Sequence, residues 1–530
     1  MDETKANAAQ AGRSTIGDSL RRAARRFRTR TALRFGNRRW TFADLDRAAD
    51  RVAHALLAAG LTRGDRVVAY GRNSDGYLLL WLGCVRAGLV HVPANYALTA
   101  GELGYILGQC GAWALFHQPA LAAVADQAAA AQGVSLRGTL DTGTGVLDAL
   151  AAALDPGWDR PGEPSPDEGV ADTDLAQIIY TSGTTGAPKG AMMTHRAYIA
   201  EYLGAALALD FSEADRVLAA LPLYHTAQMH AFSMPQLLVG AETLLIEAPE
   251  PARVLALIEA ERITSFFAPP TAWISLLRHE DFGRRDLSSL RHLYYGAAIM
   301  PVPVLQELRS RLPNARPYNC YGQSEIAPLA TVLRPEEHEA RQASVGRPIL
   351  TVETRIVDAA MRDVAPGERG EIVHRSAQLL TGYWGMPEET AAAFAGGWFH
   401  SGDVGTMDEE GYITIVDRVK DVINTGGVLV ASREVEDAIL THPAVSECAV
   451  IALPDPRWIE AVTAVVVLRP GQQATEEALI AHARATLAPY KVPKRVILSD
   501  HLPRNTAGKL LKRELRALYG GRAEALPGVG

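Results

Sequence analysis

A chain of 530 residues is too long for one hydrophobic core, so about two to four domains are expected. Hydrophobic residues at 48% and charged residues at 21% are the balance of an ordinary globular protein, and a net charge of −7 argues against a nucleic-acid partner. Four scattered cysteines (Cys84, Cys110, Cys320, Cys448) show no C-x-x-C pair or metal spacing, so reduced thiols are expected rather than a disulfide framework.

Residues 1–13 are polar and alanine-rich and read as a tail. No signal-peptide pattern follows and no apolar run is long enough to span a membrane, so a cytoplasmic location is expected. The arginine-rich stretch "RRAARRFRTR" (21–30) reads as the solvated face of a helix rather than a transit peptide. Thr41 with Asp44 forms a short capping box that opens a helix ending at Gly60. "DRVVAYG" (65–71) is a buried strand, Ser74 caps a helix running to Gly88, and "LVHVP" (89–93) is the next strand. That rhythm marks βαβ units and a parallel sheet.

A Pro-, Gly- and Asp-rich connector (155–174) leads into the strand "LAQIIY" (175–180), the loop "TSGTTGAPKG" (181–190) and a second strand, "AMMTH" (191–195), with Thr194 capping a helix from His195. In the loop, Gly183, Gly186 and Gly190 allow close approach of backbone N–H groups to phosphate oxygens. Thr181, Ser182, Thr184 and Thr185 add hydroxyls, and Lys189 adds a point charge. A turn between two strands is not the strand–loop–helix setting of a Walker loop. Alternation continues to about 350, a strand-rich stretch fills 350–415, and a compact α+β pattern begins at about 421. There, helices are expected at 432–441 and 475–487, and strands at 448–453, 461–468 and 495–500.

The full string "YTSGTTGAPKG" resembles the signature loop of the adenylate-forming superfamily, which includes acyl-CoA synthetases, aryl-CoA ligases and luciferases. "LPLYHTAQMH" (221–230), "YYGAAIMP" (294–301), "YGQSE" (321–325), "HSGDVG" (400–405), "DRVKD" (417–421) and "LPRNTAGKLLKREL" (502–515) continue the resemblance in the family's order. It implies a large N-terminal α/β domain (14–416) of two doubly wound sheets and a small distorted β-barrel. A hinge (417–420) and a smaller mobile α+β C-terminal domain (421–530) would complete the chain. The activity implied is acyl-CoA ligation: a carboxylic acid is converted by ATP to acyl-AMP and then to a CoA thioester, with Mg²⁺ as cofactor.

By the same resemblance the 181–190 loop holds the β,γ-phosphates of ATP. Gly296, Ala297 and Ala298 make room for adenine, Tyr321 stacks near it, Gly322 and Gln323 belong to the same ATP/AMP site, and Ser324 reaches the α-phosphate. Glu325 and Thr181 hold Mg²⁺, Asp403 binds the ribose diol, Arg418 reaches the ribose or the phosphates, and His225 borders the carboxylate. Lys420 is the pivot and Lys509 bridges carboxylate and α-phosphate. Thr226, Met229, His230, Ala268, Trp273 and Ile326 line the acyl pocket; they carry no obvious countercharge, so a hydrophobic acid is expected. Gly426, Gly427 and Trp458 line the route for the CoA thiol.

Two departures fall in the C-terminal region. Val428-Leu429 stands where the family has Glu-Asn, and Ile459 stands where it often has Gly. Three alternatives stay open at this point: a ligase specialised for thioester formation from a preformed adenylate, a carrier-protein-loading ligase, and a non-catalytic ATP- or acyl-binding protein. The segment 222–242 contains no Asp, which argues against an amino-acid activator.

Overall fold

The computed structural model describes residues 11–140, 166–181, 188–298, 300–418, 421–425, 428–455, 457–504 and 510–520. Reciprocal caps set several helix starts. Thr15, Thr41 and Thr99 each accept the N–H of the residue at N3, and the acid there (Asp18, Asp44, Glu102) accepts the threonine's own N–H. The arginine-rich helix, Ile16–Phe27, turns Ile16, Leu20, Ala23, Ala24 and Phe27 inward. Arg22, Arg25 and Arg26 stay exposed, while Arg21 pairs with Asp167 at 2.9 Å. Arg13, at the end of the expected tail, donates to the Asp167 carbonyl at 2.7 Å, and residues 1–10 lie outside the described residues.

Contact density divides the chain into two units. The first comprises Met1–Gln342, Gly346–Glu353 and Arg375–Phe399; the second comprises Ala343–Val345, Thr354–His374 and His400–Gly530.

In the first unit, one sheet has the spatial order Leu136–Thr139, Ala114–His117, Arg66–Tyr70, Val90–Ala94, Leu175–Thr181, Lys189–Thr194. All its pairings are parallel except the last. Alternate side chains of Arg66–Tyr70 enter different cores. Val67 and Ala69 pack with the helices Phe42–Ala58 and Asp75–Ala87, and Val68 and Tyr70 pack with Ala100–Cys110 and Ala122–Gln132. Both faces are therefore covered, as a parallel sheet requires.

The second sheet of this unit runs Arg347–Pro348, Leu329–Leu333, Arg316–Gly322, His292–Gly296, Ser265–Phe267, Arg216–Ala219, Glu242–Leu245, Thr31–Phe35, Arg38–Thr41. Leu218, Phe266 and Leu293 face the helices Pro251–Ala260, Pro270–Arg278 and Val302–Arg311, while Phe267 and Tyr294 face the other way, toward His195–Ala208. Two doubly wound sheets are thus present. The strand expected at 191–195 starts earlier, at Lys189, because Thr181 pairs with Lys189 and Tyr180 with Gly190.

The strands Val352–Val357, Gly370–Ser376, Phe399–Met407 and Ile413–Arg418, neighbours in that order, form the small barrel-like layer as an open half-barrel. Within the second unit, a further sheet joins Val428–Val430, Ile423–Thr425, Ile459–Leu468 and Val445–Asp455, with Arg495–Leu498 parallel to Ile459–Leu468. Val450, Val462 and Ala464 face Ser432–Leu440 and Glu476–Thr486, and Ala449, Ile451 and Val465 face Lys512–Gly520. That last helix had no expectation from the sequence.

Candidate active site

Parallel strands of the longer sheet bring several motifs to one edge, because each motif begins where a strand ends. Arg216–Ala219 leads to His225 and Thr226, Ser265–Phe267 to Ala268, His292–Gly296 to Ala297 and Ala298, and Arg316–Gly322 to Gln323, Ser324 and Glu325. Loops at the carboxyl ends of parallel strands are where open α/β sheets bind ligands.

Gly296 sits opposite Cys320, and a Cβ there would lie 2.2 Å from the Cys320 carbonyl oxygen, so no other residue permits this strand approach. Ala297 then turns into the left-handed region (φ 62°), and both Ala297 and Ala298 are exposed. At Gly322 a Cβ would meet the Pro328 carbonyl oxygen at 1.8 Å. These two glycines fix where Tyr321 and the Glu325 turn emerge.

The shorter sheet supplies Thr181 at the end of Leu175–Thr181. Ser182, Gly183, Thr184, Thr185 and Gly186 lie outside the described residues, but both ends of the loop are placed. Lys189 pairs with Thr181 across the hairpin, and the Tyr105 hydroxyl donates to the Pro188 carbonyl at 3.1 Å. The Thr181 hydroxyl donates to Oε1 of Glu325 at 2.9 Å, and Glu325 is 9% exposed.

No group of three or more His, Cys, Asp or Glu side chains able to hold a metal occurs among the described residues. A carboxylate beside a hydroxyl is instead a pair of hard oxygen donors, which fits Mg²⁺ completing its shell with phosphate and water.

His225 precedes a stretch of π-helix, Ala227–Ser233, a geometry frequent at functional sites. The Thr226 and Ser324 hydroxyls are 2.9 Å apart, joining two motifs that are distant in sequence. The expected acyl-pocket residues divide between environments. Ala268 and Trp273 share one apolar cluster, Met229 lies in another and Ile326 in a third, and the Trp273 indole N–H donates to the Tyr294 carbonyl at 3.0 Å.

His230 is 1% exposed and sits in a polar knot. The Tyr202 hydroxyl lies 2.8 Å from its Nδ1, Gln177 Oε1 lies 2.9 Å from its Nε2, and the Tyr198 ring stacks on it with centroids 3.9 Å apart. Burial, and then neighbouring His91, hold its pKa well below the usual imidazole value, and burial lowers His91 to about 3. Both rings are neutral at neutral pH.

Three contributors carry no motif. Glu201, on the helix His195–Ala208, is fully buried and accepts from Leu329 N–H at 3.2 Å and from the Gln378 amide at 2.6 Å. The same Gln378 nitrogen reaches the carbonyls of Ile326 at 3.1 Å and Leu329 at 3.0 Å, so the pair braces the turn that follows Glu325. Burial raises the Glu201 pKa well above the carboxylate range. Tyr383 is the third; its hydroxyl donates to Glu325 Oε1 at 3.4 Å, and burial, with the Glu325 charge second, raises its pKa, so the phenol stays protonated. No spacing rule in the sequence points to these residues, since each acts through a contact made far along the chain.

In the second unit, Asp403 is 4% exposed, its N–H donates to the Ser401 hydroxyl at 3.1 Å, and it pairs with Arg418 across adjacent strands. Lys420, Gly426, Gly427 and Lys509 lie outside the described residues. The Trp458 N–H donates to Asp455 at 2.9 Å, and Lys494 lies over the indole, 4.9 Å from its centroid. Ile459 adopts φ 68° and is 61% exposed, and Val428 is 45% exposed. Just beyond Lys509, Lys512 is bound to Glu436 at 2.8 Å and to the Ser432 hydroxyl at 2.6 Å.

The pattern described as "AMP-binding enzyme" matches residues 20–384, and that of the "AMP-binding enzyme C-terminal domain" matches residues 434–509. A feruloyl-CoA synthase of Amycolatopsis sp is 39% identical over 92% of this chain and 96% of its own length. The fatty acid–[acyl-carrier-protein] ligase ScoC of Streptomyces coeruleorubidus is 34% identical over 91% of this chain and 92% of its own. The ATP-bound crystal structure of MatB from Rhodopseudomonas palustris superposes with a TM-score of 0.86 at 30% identity, covering 96% of this chain and 100% of that one. The chain belongs to the AMP-binding enzymes, the adenylate-forming superfamily, on its acyl-CoA synthetase branch.

Proposed function

We propose that this protein joins a hydrophobic carboxylic acid to coenzyme A at the expense of ATP, through an acyl-adenylate. The observation that carries the reading is the Thr181–Glu325 hydrogen bond, which unites the phosphate loop with the acid of the "YGQSE" motif. An oxygen of the acid's carboxylate attacks the α-phosphorus, and pyrophosphate departs. The barrier is repulsion between anions. Lys189 offsets charge on the leaving pyrophosphate, Lys509 offsets charge between nucleophile and α-phosphate, and Asp403 with Arg418 holds the ribose. Mg²⁺ held by Glu325 and Thr181 would withdraw further charge from the phosphates.

In the second step the thiol sulfur attacks the acyl carbonyl carbon, and AMP leaves. Lys509 would obstruct that approach, so the C-terminal domain rotates about Lys420 between the steps. Gly426, Gly427 and Trp458 then flank the pantetheine arm. Buried Met229, Ala268, Trp273 and Ile326, with Thr226 and His230, support an apolar acid, fatty, aryl or polycyclic. The feruloyl-CoA synthase relative supports the aryl class.

A carrier protein as acceptor is the second reading. It is favoured by the apolar, exposed Val428 and Ile459 and by the relative named as a carrier-protein ligase. The test is a screen of cinnamic-type, medium-chain and long-chain acids by pyrophosphate release with MgATP, with no acceptor, with CoA, or with a phosphopantetheinylated carrier protein. Release that depends on a hydrophobic acid, with thioester on CoA, is expected. Absence of release with every acid would sink both readings, and thioester formation on the carrier alone would select the second.

A further inference from the structure

The residues Leu380–Trp384 run between the two halves of the site and are hydrogen-bonded to each. Leu380 N–H donates to the Glu325 carbonyl at 2.9 Å. On the other side, Thr381 N–H donates to the Met192 carbonyl at 2.9 Å, Met192 N–H to the Gly382 carbonyl at 2.9 Å, and Trp384 N–H to the Gly190 carbonyl at 2.8 Å. The segment is thus an added edge on the strand Lys189–Thr194, and Gln109 closes its far end by donating to the Trp384 carbonyl at 2.8 Å. Its position depends on both the phosphate-loop strand and the Glu325 turn.

Tyr383 sits at the centre of this clip, held by its own N–H to the Thr390 hydroxyl at 2.8 Å. One face of the ring carries the Lys189 ammonium, with Nζ 5.4 Å from the centroid. That is within the range where a ring quadrupole attracts a cation. The hydroxyl donates to Oε1 of Glu325 at 3.4 Å, the same oxygen that accepts from Thr181 at 2.9 Å. Two donors on Oε1 set the rotation of the carboxyl group, and Oε2 accepts no hydrogen bond from a described residue. A carboxylate so held presents one defined oxygen, while the ammonium is held on the same ring.

We propose that Tyr383 is a positioning residue for the metal and polyphosphate end of the site: its hydroxyl orients Glu325 so that Oε2 is the metal ligand, and its ring face locates Lys189. The proposal rests on the reading that Glu325 binds Mg²⁺ and Lys189 meets the phosphates. The two functions lie on different parts of one side chain, so two substitutions separate them. Tyr383→Phe keeps the ring and removes the hydroxyl; Tyr383→Leu removes both.

The test is calorimetric binding of ATP to the full chain, with and without Mg²⁺, for the wild type and both variants, with thermal midpoints recorded alongside. The wild type is expected to bind MgATP more tightly than ATP alone. In Tyr383→Phe the metal-dependent gain falls about five- to tenfold, while affinity for metal-free ATP stays within twofold. In Tyr383→Leu the metal-free affinity also falls, by about two- to fivefold. A Tyr383→Phe protein with the full wild-type metal gain overturns the proposal, whatever its thermal midpoint. A wild type that binds ATP equally with and without Mg²⁺ overturns the underlying reading of Glu325 as well, so the two failures are distinguishable.

Discussion

Thr181 ends a strand of one sheet, Glu325 follows a strand of the other, and the hydroxyl of the first donates to the carboxylate of the second at 2.9 Å. Neither residue is unusual alone. Together they bring a hydroxyl and a carboxylate to the point where the glycine-rich loop begins.

Glu325→Gln removes the negative oxygen while keeping the size of the side chain. Pyrophosphate release with MgATP and a competent acid is expected to fall by about two to three decades, the usual cost of losing one preorganised charge contact. Thr181→Val should cost less, because one neutral hydroxyl is lost. Release by Glu325→Gln within threefold of the wild type would remove Glu325 from the metal site.

Lys509 is expected to serve only the first half-reaction. Lys509→Ala should abolish adenylation by about two to three decades. Thioester formation from synthetic acyl-AMP and CoA should stay largely intact. Equal loss of both steps would contradict this division.

Glu201 gives a prediction in pH. Its ordinary pKa is 4.5, and burial raises it in the folded chain. Below 4.5 both states hold the proton, and no stability difference arises. Above it the unfolded chain releases the proton and the folded chain keeps it, so stability falls as pH rises, by about 1.4 kcal/mol per unit, until the folded pKa is reached. Glu201→Gln cannot ionise and lacks that slope. Denaturant unfolding of both proteins across a pH series starting near 4.5 should show the variant gaining on the wild type as pH rises, until the folded pKa is reached. A constant gap would show that Glu201 ionises in the folded state as it does in water. Glu201→Leu strands the Leu329 N–H and the Gln378 amide and should destabilise by about 1–3 kcal/mol near pH 4, where the wild type holds its proton in both states, a cost that shrinks as pH rises because leucine, like glutamine, does not ionise.

Ile459 holds a conformation that its branched side chain resists. The left-handed region costs a non-glycine residue about 1–2 kcal/mol, and the side chain, 61% exposed, recovers little by packing. Ile459→Gly relieves this strain and loses part of the gain to the greater freedom of the unfolded chain. A net stabilisation of about 1 kcal/mol is expected in chemical denaturation. Destabilisation would mean that the isoleucine side chain makes a contact worth more than its strain, and the thioester step measured in the same variant would show whether that contact concerns the acceptor.

Signals that act over a few residues were legible in advance. The Thr41–Asp44 box, the Ser74 and Thr194 caps, the strands near 65–71, 89–93 and 175–180 and the α+β pattern after 421 all match the observed elements to within a few residues. Caps and two-residue periodicity are local chemistry, so the sequence states them directly. The motifs were equally plain as strings, and the family match follows from them. The substitution at Ile459 was visible too, but not its positive φ, which is a property of the folded backbone at that position.

The amino-acid sequence by itself determined the class of chemistry, because a glycine- and hydroxyl-rich loop with one lysine, followed by acidic and small-residue motifs in fixed order, admits few other readings. The tertiary structure decided which residues gather around Glu325 and the turn that follows it. Packing of a helix and a loop brings Glu201 and Gln378 against the turn after Glu325, and Tyr383 against Glu325 itself, from separate stretches of the chain, and the choice of which donors share Oε1 is made only when those stretches pack. Contacts of that kind depend on the relative placement of whole elements, which no local pattern encodes.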